Sequence, residues 1–397
     1  MPKRRITEMF GHPDVAVVFA VFTVMAFGSA VVGPIMGELQ SSFSVPLAVL
    51  GLLLSAPAIA RVVLTIPSGI MSDRLPPRVP LCGGTLLMAL GSIVCAIAPN
   101  FAMLVAGSLI AGLGSALVFT PGMSHIVRIS QAKSRGHATG RIMAGVQLGG
   151  LFAPAAAGFA ATLLNWRAAY VIAALVGVIA SGLIWSQIKS PRPTSSRSGS
   201  WSWQPKSMGI SRTLLGIAAF AVLLWGGTFT IKRLVIPLYG SVALDLDPAA
   251  IGIVMTAAAA ARTATMFASG PILTTFGRHR VLIMTTALSV TAALFLLLPA
   301  TLWLYGSIAL LYALGGIVTA LPPVLVAERT PHENVGRAMG SMQFMVDLLL
   351  LAFPPIVGLM IDRGGFPLVG VTSAMMFIGT LAIGLRLMGR HQLPADP

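Results

Sequence analysis

ARVVLTIPSG at residues 60–69 and ARTATMFASG at residues 261–270 are two copies of one pattern. In each copy an arginine, Arg61 or Arg262, stands eight residues before a glycine, Gly69 or Gly270, inside an apolar stretch long enough to cross a bilayer as a helix. An arginine near the bilayer centre costs at least ~2.5–3.5 kcal/mol on insertion scales, so it faces a cavity, a partner or a solute rather than lipid. From Gly69 back to Arg61 is about 12 Å of helix rise, roughly halfway through a ~30 Å hydrocarbon core. The repeat puts Arg262 at the same depth.

The repeat extends to either side of that pair at a shift of 200 to 202 residues. Pro46 matches Pro248, Gly51 matches Gly252, Gly114 matches Gly315, Pro121 matches Pro322 and Arg128 matches Arg329. One residue shorter, Gly136, Ala138, Gly140, Pro154 and Gly158 match Gly336, Ala338, Gly340, Pro354 and Gly358. So many backbone-setting residues recurring in order describe a chain of two like halves. Apolar runs bounded by Gly, Pro, Asn or charge give spans at 15–38, 47–70, 79–98, 102–126, 139–163, 168–188, 213–238, 249–273, 280–299, 302–326, 337–361 and 366–388. The pattern predicts an all-α membrane protein with twelve transmembrane helices in two pseudo-symmetric six-helix bundles, residues 1–188 and 212–397. The connection at 189–211 contains KSPRPTSSRSGSWSWQPKS, rich in Ser, Pro and Arg, and reads as a cytoplasmic linker whose Trp201 and Trp203 hold it to the membrane surface. A parallel six-plus-six repeat predicts bundles related by an axis along the membrane normal, with a site near midplane.

Composition agrees. Of 397 residues 56% are hydrophobic, and 26 Lys and Arg stand against 11 Asp and Glu, a balance no soluble domain of this length shows. The 42 Gly and 27 Pro, many inside apolar stretches, predict kinked and closely packed helices. The net charge of +15 excludes a nucleic-acid reading by its placement. Lys3, Arg4, Arg5, Arg74, Arg78, Arg128, Lys133, Arg135, Arg141, the linker, Arg278, Arg280, Arg329, Arg337, Arg386 and Arg390 fall on one side of the membrane, while only Arg167 and Arg363 occupy the opposite loops. The positive-inside rule then puts both termini in the cytoplasm, and the short loops fit a bacterial inner membrane. The first apolar stretch has no small-residue cleavage site and reads as a retained helix rather than a signal peptide. Cys82 and Cys95 would lie about 20 Å apart on one helix, which excludes a disulfide between them. The histidines show no metal spacing and there is no Walker loop, so no metal, cofactor or ATP is expected. No nucleophile, base and orienting group come together as an enzyme would need.

At the inner end of the second span stands GIMSDRLPPR, Gly69 to Arg78. It resembles the loop signature of the major facilitator superfamily, with a Gly, an Asp-Arg pair and a trailing Arg. Asn165-Trp166-Arg167 is similar to that family's turn after the fifth span, and Arg135-Gly136 to the opening of that span. The second copy of the loop keeps Gly277 and Arg278 but has Thr274 where the Asp would be. The resemblance implies a secondary transporter working by alternating access. In such a loop Asp73 can accept from a facing helix N-terminus and Arg74 and Arg78 can bridge helix ends, a latch that holds one conformation. Gly149, Pro154 and Gly158, with Pro354 and Gly358 in the second half, resemble a partial antiporter signature and are expected to set helix packing and gating; Ala153 and Ala157 stand where that signature has glycines. Ser108 stands where the family's fourth-span signature has an arginine.

The charges inside the spans are Arg61, Arg262, Lys232 and Arg233 against Asp347, which takes the place of Gln147 in the first half. Two guanidiniums, each a planar fork of donors, suit a small organic or inorganic anion better than a neutral drug. Arg61 and Arg262 are therefore the candidate substrate ligands, with Asp347 as counter-charge or protonatable coupling residue. Phe27, Trp225, Phe229, Lys232 and Arg233 are candidate cavity-lining residues, Lys232 and Arg233 equally able to snorkel toward headgroups before Pro237. The alternative is a proton-coupled efflux antiporter for drug-like or metabolite solutes, in which Asp347 rather than the arginines is essential. His125 and Glu328 sit near inner helix ends and read as solvated. The expected partners are the bilayer, an anionic solute and a proton or other coupling ion, with the chain acting as a monomer.

Overall fold

The computed structural model describes residues 12–130, 135–188, 212–330, 342, 344–348 and 351–389, with the side chain of Asp73 outside that set. The linker at 189–211, both extreme termini and Arg337 also lie outside the described residues. What is described is helical throughout: α1 (Pro13–Ala30), α2 (Met36–Phe43), α3 (Leu47–Arg74), α4 (Arg78–Ala96), α5 (Phe101–Ile129), α6 (Arg135–Leu163), α7 (Trp166–Gln187), α8 (Arg212–Thr230), α9 (Pro248–Phe276), α10 (Arg278–Phe295), α11 (Leu302–Gly315), α12 (Leu321–Arg329) and α13 (Phe353–Gly389). Ten stretches among the described residues are long and apolar enough to cross a membrane. The last of these covers two expected spans, divided at Gly365, where φ is +66°. The helix α10 stands where the ninth span was expected, so the architecture is consistent with twelve crossings.

Helix boundaries follow local chemistry. Asn100 and Asn165 cap α5 and α7, their side-chain oxygens accepting from the amides of Met103 and Arg167 at 2.9 Å. The Asn-Trp-Arg turn is thereby explained residue by residue. Asn165 caps, Trp166 is buried against Phe43 and Tyr170, and Arg167 stacks 4.2 Å over the Trp166 ring and donates to the Ala98 carbonyl. The first span differs from expectation: it ends at Ala30, and residues 31–35 form turns before α2. Pro34 has no N–H for the Ala30 carbonyl, which accepts instead from Gly33 at 3.4 Å.

Contacts divide the chain into two units. Unit 1 holds Met1–Val45, Leu52–Gly199 and Leu246–Thr256, and unit 2 holds Pro46–Gly51, Ser200–Asp245 and Ala257–Pro397. The core of unit 1 gathers Val18, Phe22, Leu81, Val118, Ile126 and Ile184 from α1, α4, α5 and α7. In the same unit α4 and α5 touch backbone to backbone, and a Cβ on Gly91 would lie 2.5 Å from the Ala111 nitrogen. Such approach replaces the hydrophobic drive that lipid does not provide. The core of unit 2 gathers Phe220, Leu282, Leu325 and Val346. Large apolar side chains point outward, Phe267 at 75% and Trp303 at 91% exposure, as a surface solvated by lipid requires. Cys82 and Cys95 are both free.

Candidate functional site

In unit 2 the site is built by two proline-driven departures from α-helical bonding. The first follows α8. Pro237 has no N–H to offer the carbonyl of Arg233, and residues Ile231–Val235 take up π-helical bonding, with the Ile236 amide reaching back to the Ile231 carbonyl. Lys232 and Arg233 lie in that wider turn, both half-buried. The Arg233 guanidinium sits 4.5 Å above the ring of Phe229.

The second departure joins α11 to α12. Pro322 and Pro323 cannot donate to the carbonyls of Val318 and Thr319, and Gly316–Ala320 becomes a 3-10 segment. The Leu321 amide takes the Val318 carbonyl, and the Trp225 indole N–H takes that of Thr319 at 3.1 Å. Trp225 is thus a strut between α8 and the 3-10 segment. Against the same segment lies the stem of Arg262 from α9: a Cβ on Gly316 would come within 3.4 Å of its Nε. That Nε is buried and has no hydrogen-bond partner among the described residues.

The other expected site residues fall as follows. Arg61 is exposed on α3 in unit 1 and is engaged in an interaction, as is half-buried Asp347 in the helical stretch 344–348 of unit 2. Phe27 is half-buried on α1 in unit 1. Unit 2 therefore holds Trp225, Phe229, Lys232, Arg233, Arg262 and Asp347, while Arg61 and Phe27 belong to unit 1. Of the latch residues, Arg74 is exposed, and Arg78 stacks 5.2 Å from the Trp185 ring. A side chain at Gly69 would meet nothing within 4 Å, so no close approach explains that glycine. Gly277 has a φ of +75° at the α9–α10 junction, a conformation that favours glycine. Arg278 forms a two-pronged pair with Glu328 at 2.6 and 2.8 Å, both exposed, and such a surface pair contributes little.

The packing residues all lie at tight crossings. A Cβ on Gly149 would lie 2.0 Å from the Thr23 carbonyl oxygen of α1. One on Gly158 would lie 2.3 Å from the Pro248 oxygen, and one on Gly252 2.4 Å from the Pro154 oxygen, all in unit 1. In unit 2 a Cβ on Gly358 would lie 2.2 Å from the Leu47 oxygen, and one on Gly51 2.6 Å from Pro354. Sequence reasoning missed two features. Thr162 and Asp362, related by the 200-residue shift, cap equivalent helices. Thr162 Oγ1 accepts from the Ala249 amide at 3.0 Å, and the Asp362 carboxylate accepts from Leu47 and Ala48 at 3.1 and 2.9 Å. His125, expected to be solvated, is 4% exposed and sits 2.9 Å from the buried Asp14 carboxylate, which Pro13 and His12 place in the first turn of α1. Asp14 directly after a helix-starting proline was the available signal.

Such a molecule is a multi-pass membrane protein of two helical units with half-buried cations in its membrane-crossing segments. The chain matches the sequence profile of the Major Facilitator Superfamily over residues 18–242 and 219–396 and belongs to that superfamily of transporters. It is 28% identical over 342 residues to the MFS-type transporter opdF of Penicillium oxalicum (strain 114-2 / CGMCC 5302), covering 81% of this chain and 77% of that one. It is 25% identical over 190 residues to the multidrug resistance protein B homolog of Mycobacterium tuberculosis (strain CDC 1551 / Oshkosh), 47% of this chain and 34% of that protein. Its fold is similar to that of a bacterial homologue of the human lysosomal transporter Spinster in an inward-facing and occupied conformation, with a TM-score of 0.78 at 16% identity over 96% of this chain and 98% of that one.

Proposed function

We propose that this transporter moves a small organic or inorganic anion by alternating access across a bacterial inner membrane, with both termini cytoplasmic and the chain acting as a monomer. The observation that carries this reading is the buried Arg262 Nε, which has no hydrogen-bond partner among the described residues. Uncompensated cations in a low-dielectric interior are tolerated where a ligand supplies the opposite charge. Arg61, the repeat counterpart of Arg262, is the second proposed ligand. Asp347 is the counter-charge or coupling residue, and Gly69, Asp73, Arg74, Arg78, Gly277 and Arg278 form the latch. An anion that satisfies the cations can let one conformation close more readily than the other, as a carrier needs. In proteoliposomes, Arg262→Gln is expected to lower anion uptake at least ~10-fold, the loss of one charge-assisted contact; unchanged saturable uptake in that variant would sink the reading.

The second reading is the proton-coupled efflux antiporter for drug-like solutes. It is supported by the stretch shared with the multidrug resistance protein B homolog. It requires that Asp347→Asn abolish export while Arg262→Gln leaves it intact.

A further inference from the structure

Trp225 is half-buried on α8, its ring packed against the core of unit 2 and its indole N–H engaged with the Thr319 carbonyl at 3.1 Å. That donor is therefore already in use and is not offered to a solute. We propose, resting on the anion reading above, that Trp225 is a positioning residue for Arg262. Through the Gly316–Ala320 segment it sets where the guanidinium stands, and so how tightly the anion is held.

Four residues of unit 2 touch in series. The Trp225 indole holds the Thr319 carbonyl, the Thr319 hydroxyl donates to the Gly316 carbonyl at 2.6 Å, and Gly316 carries the stem of Arg262. In a 3-10 segment residues three apart lie one above the other, so a displacement at Thr319 is passed to Gly316. A Cβ on Gly316 would lie 3.4, 3.5 and 3.6 Å from Nε, Cγ and Cδ of Arg262, so the stem runs along bare backbone there. An arginine side chain has many rotamers, and one that is already seated loses less freedom when an anion binds. Among the described residues no hydrogen bond at Nε shares that task, which leaves the seat at Gly316 to fix the stem. Pro322 and Pro323 withhold two backbone donors from the segment, and the indole of α8 takes the place of the second.

The test is isothermal titration of the purified full chain at constant ionic strength, at a temperature where every variant is folded. Nitrate, sulfate, acetate and succinate are the probes. Trp225→Phe keeps an aromatic ring and removes the donor, and it is expected to weaken each anion that the wild type binds by about 3- to 10-fold, the loss from ordering one long side chain anew. Gly316→Val crowds the seat while the indole bond stays, and should weaken the same anions to a comparable degree. Because both variants act through one seat, the double variant should bind no more than about twofold worse than the weaker single variant. An indole with a merely structural role would lower the melting temperature and leave the affinity of the folded protein unchanged. One that touched the anion itself would multiply its loss by that of Gly316→Val. Unchanged affinity in either single variant, or multiplied losses in the double, overturns the inference while leaving the anion reading standing. Failure of all four anions to bind the wild type overturns that reading and the inference with it. Each single variant decides the matter if the other does not purify.

Discussion

Glu38 is a carboxyl group held where its charge is unwelcome. It lies on α2, after the first span, with Oε2 buried and without a hydrogen-bond partner. Burial raises its pKa above the ordinary value, and the opposing influence of the Trp166 backbone N–H is the smaller of the two. The folded state therefore binds this proton more tightly than the unfolded state. The stabilisation is complete below the unfolded carboxyl pKa and is lost as pH rises through the folded one. Thermal unfolding of Glu38→Gln should show a raised Tm at pH 8 and no gain at pH 5; a lowered Tm at pH 8 would mean that the ionised form is the one the fold prefers. The Asp14–His125 pair makes the opposite point. With side chains 8% and 4% exposed, each needs the other, and His125→Ala removes the imidazole from a buried carboxylate at an expected loss of ~1–3 kcal/mol in unfolding free energy. Residues of this kind divide into those the sequence announces and those it hides. Arg262 was legible because an arginine inside an apolar run has few physical excuses. The partner of His125 was not, because 111 residues separate the two and nothing local in the chain says that Asp14 faces inward.

Among the elements, prolines set the geometry, and their effects can be followed carbonyl by carbonyl. Pro323 orphans the Thr319 carbonyl, which Trp225 then satisfies. Trp225→Phe leaves that carbonyl without the indole and should lower the unfolding free energy by ~1–3 kcal/mol. Pro323→Ala restores a backbone donor, so the double variant should recover part of the loss, and additive effects in the cycle would show that the restored N–H and the indole do not serve the same carbonyl. The prolines themselves were visible in the sequence. What was not visible is which side chain would answer each missing N–H, because that depends on how α8 packs against the 3-10 segment. The glycine crossings were legible for a similar reason: Gly158 and Gly358 recur in the repeat at positions where only the absence of a side chain allows backbone approach. Here Val substitutions must displace the Pro248 or Leu47 carbonyl, since the contacts are backbone atoms rather than flexible side-chain ends. Gly158→Val and Gly358→Val are each expected to reduce uptake several-fold with the protein still present in the membrane, a change measured as initial rate per mole of purified carrier.

For the whole molecule, the test that matters is how many times the chain crosses the bilayer between the linker and the loop at Gly364. Hydropathy fixes ten candidate stretches among the described residues, but α10 is not one of them. It begins Arg278-His279-Arg280, and its mean apolarity is diluted by Thr285, Thr286, Ser289 and Thr291. Three of these, Thr285, Thr286 and Ser289, are nonetheless buried, and Thr285 and Ser289 hand their hydroxyl protons to carbonyls one turn back. A helix that satisfies its own polar side chains in this way can lie in the membrane without the hydropathy that usually reports it. If α10 crosses, five spans separate the linker from Gly364 and the two lie on opposite sides; if it does not, four do and they lie on the same side. The charge distribution adds the sign, since the Lys and Arg of the linker are expected to stay inside. With Cys82 and Cys95 replaced by Ser, Gly364→Cys should react with a membrane-impermeant maleimide on intact cells, and Ser200→Cys only after the membrane is opened. Labelling of both from outside, or of neither, would take α10 out of the bilayer and break the two-half repeat at its ninth helix. Labelling of Ser200→Cys alone would keep the count and invert the molecule, turning every inner helix end described above into an outer one.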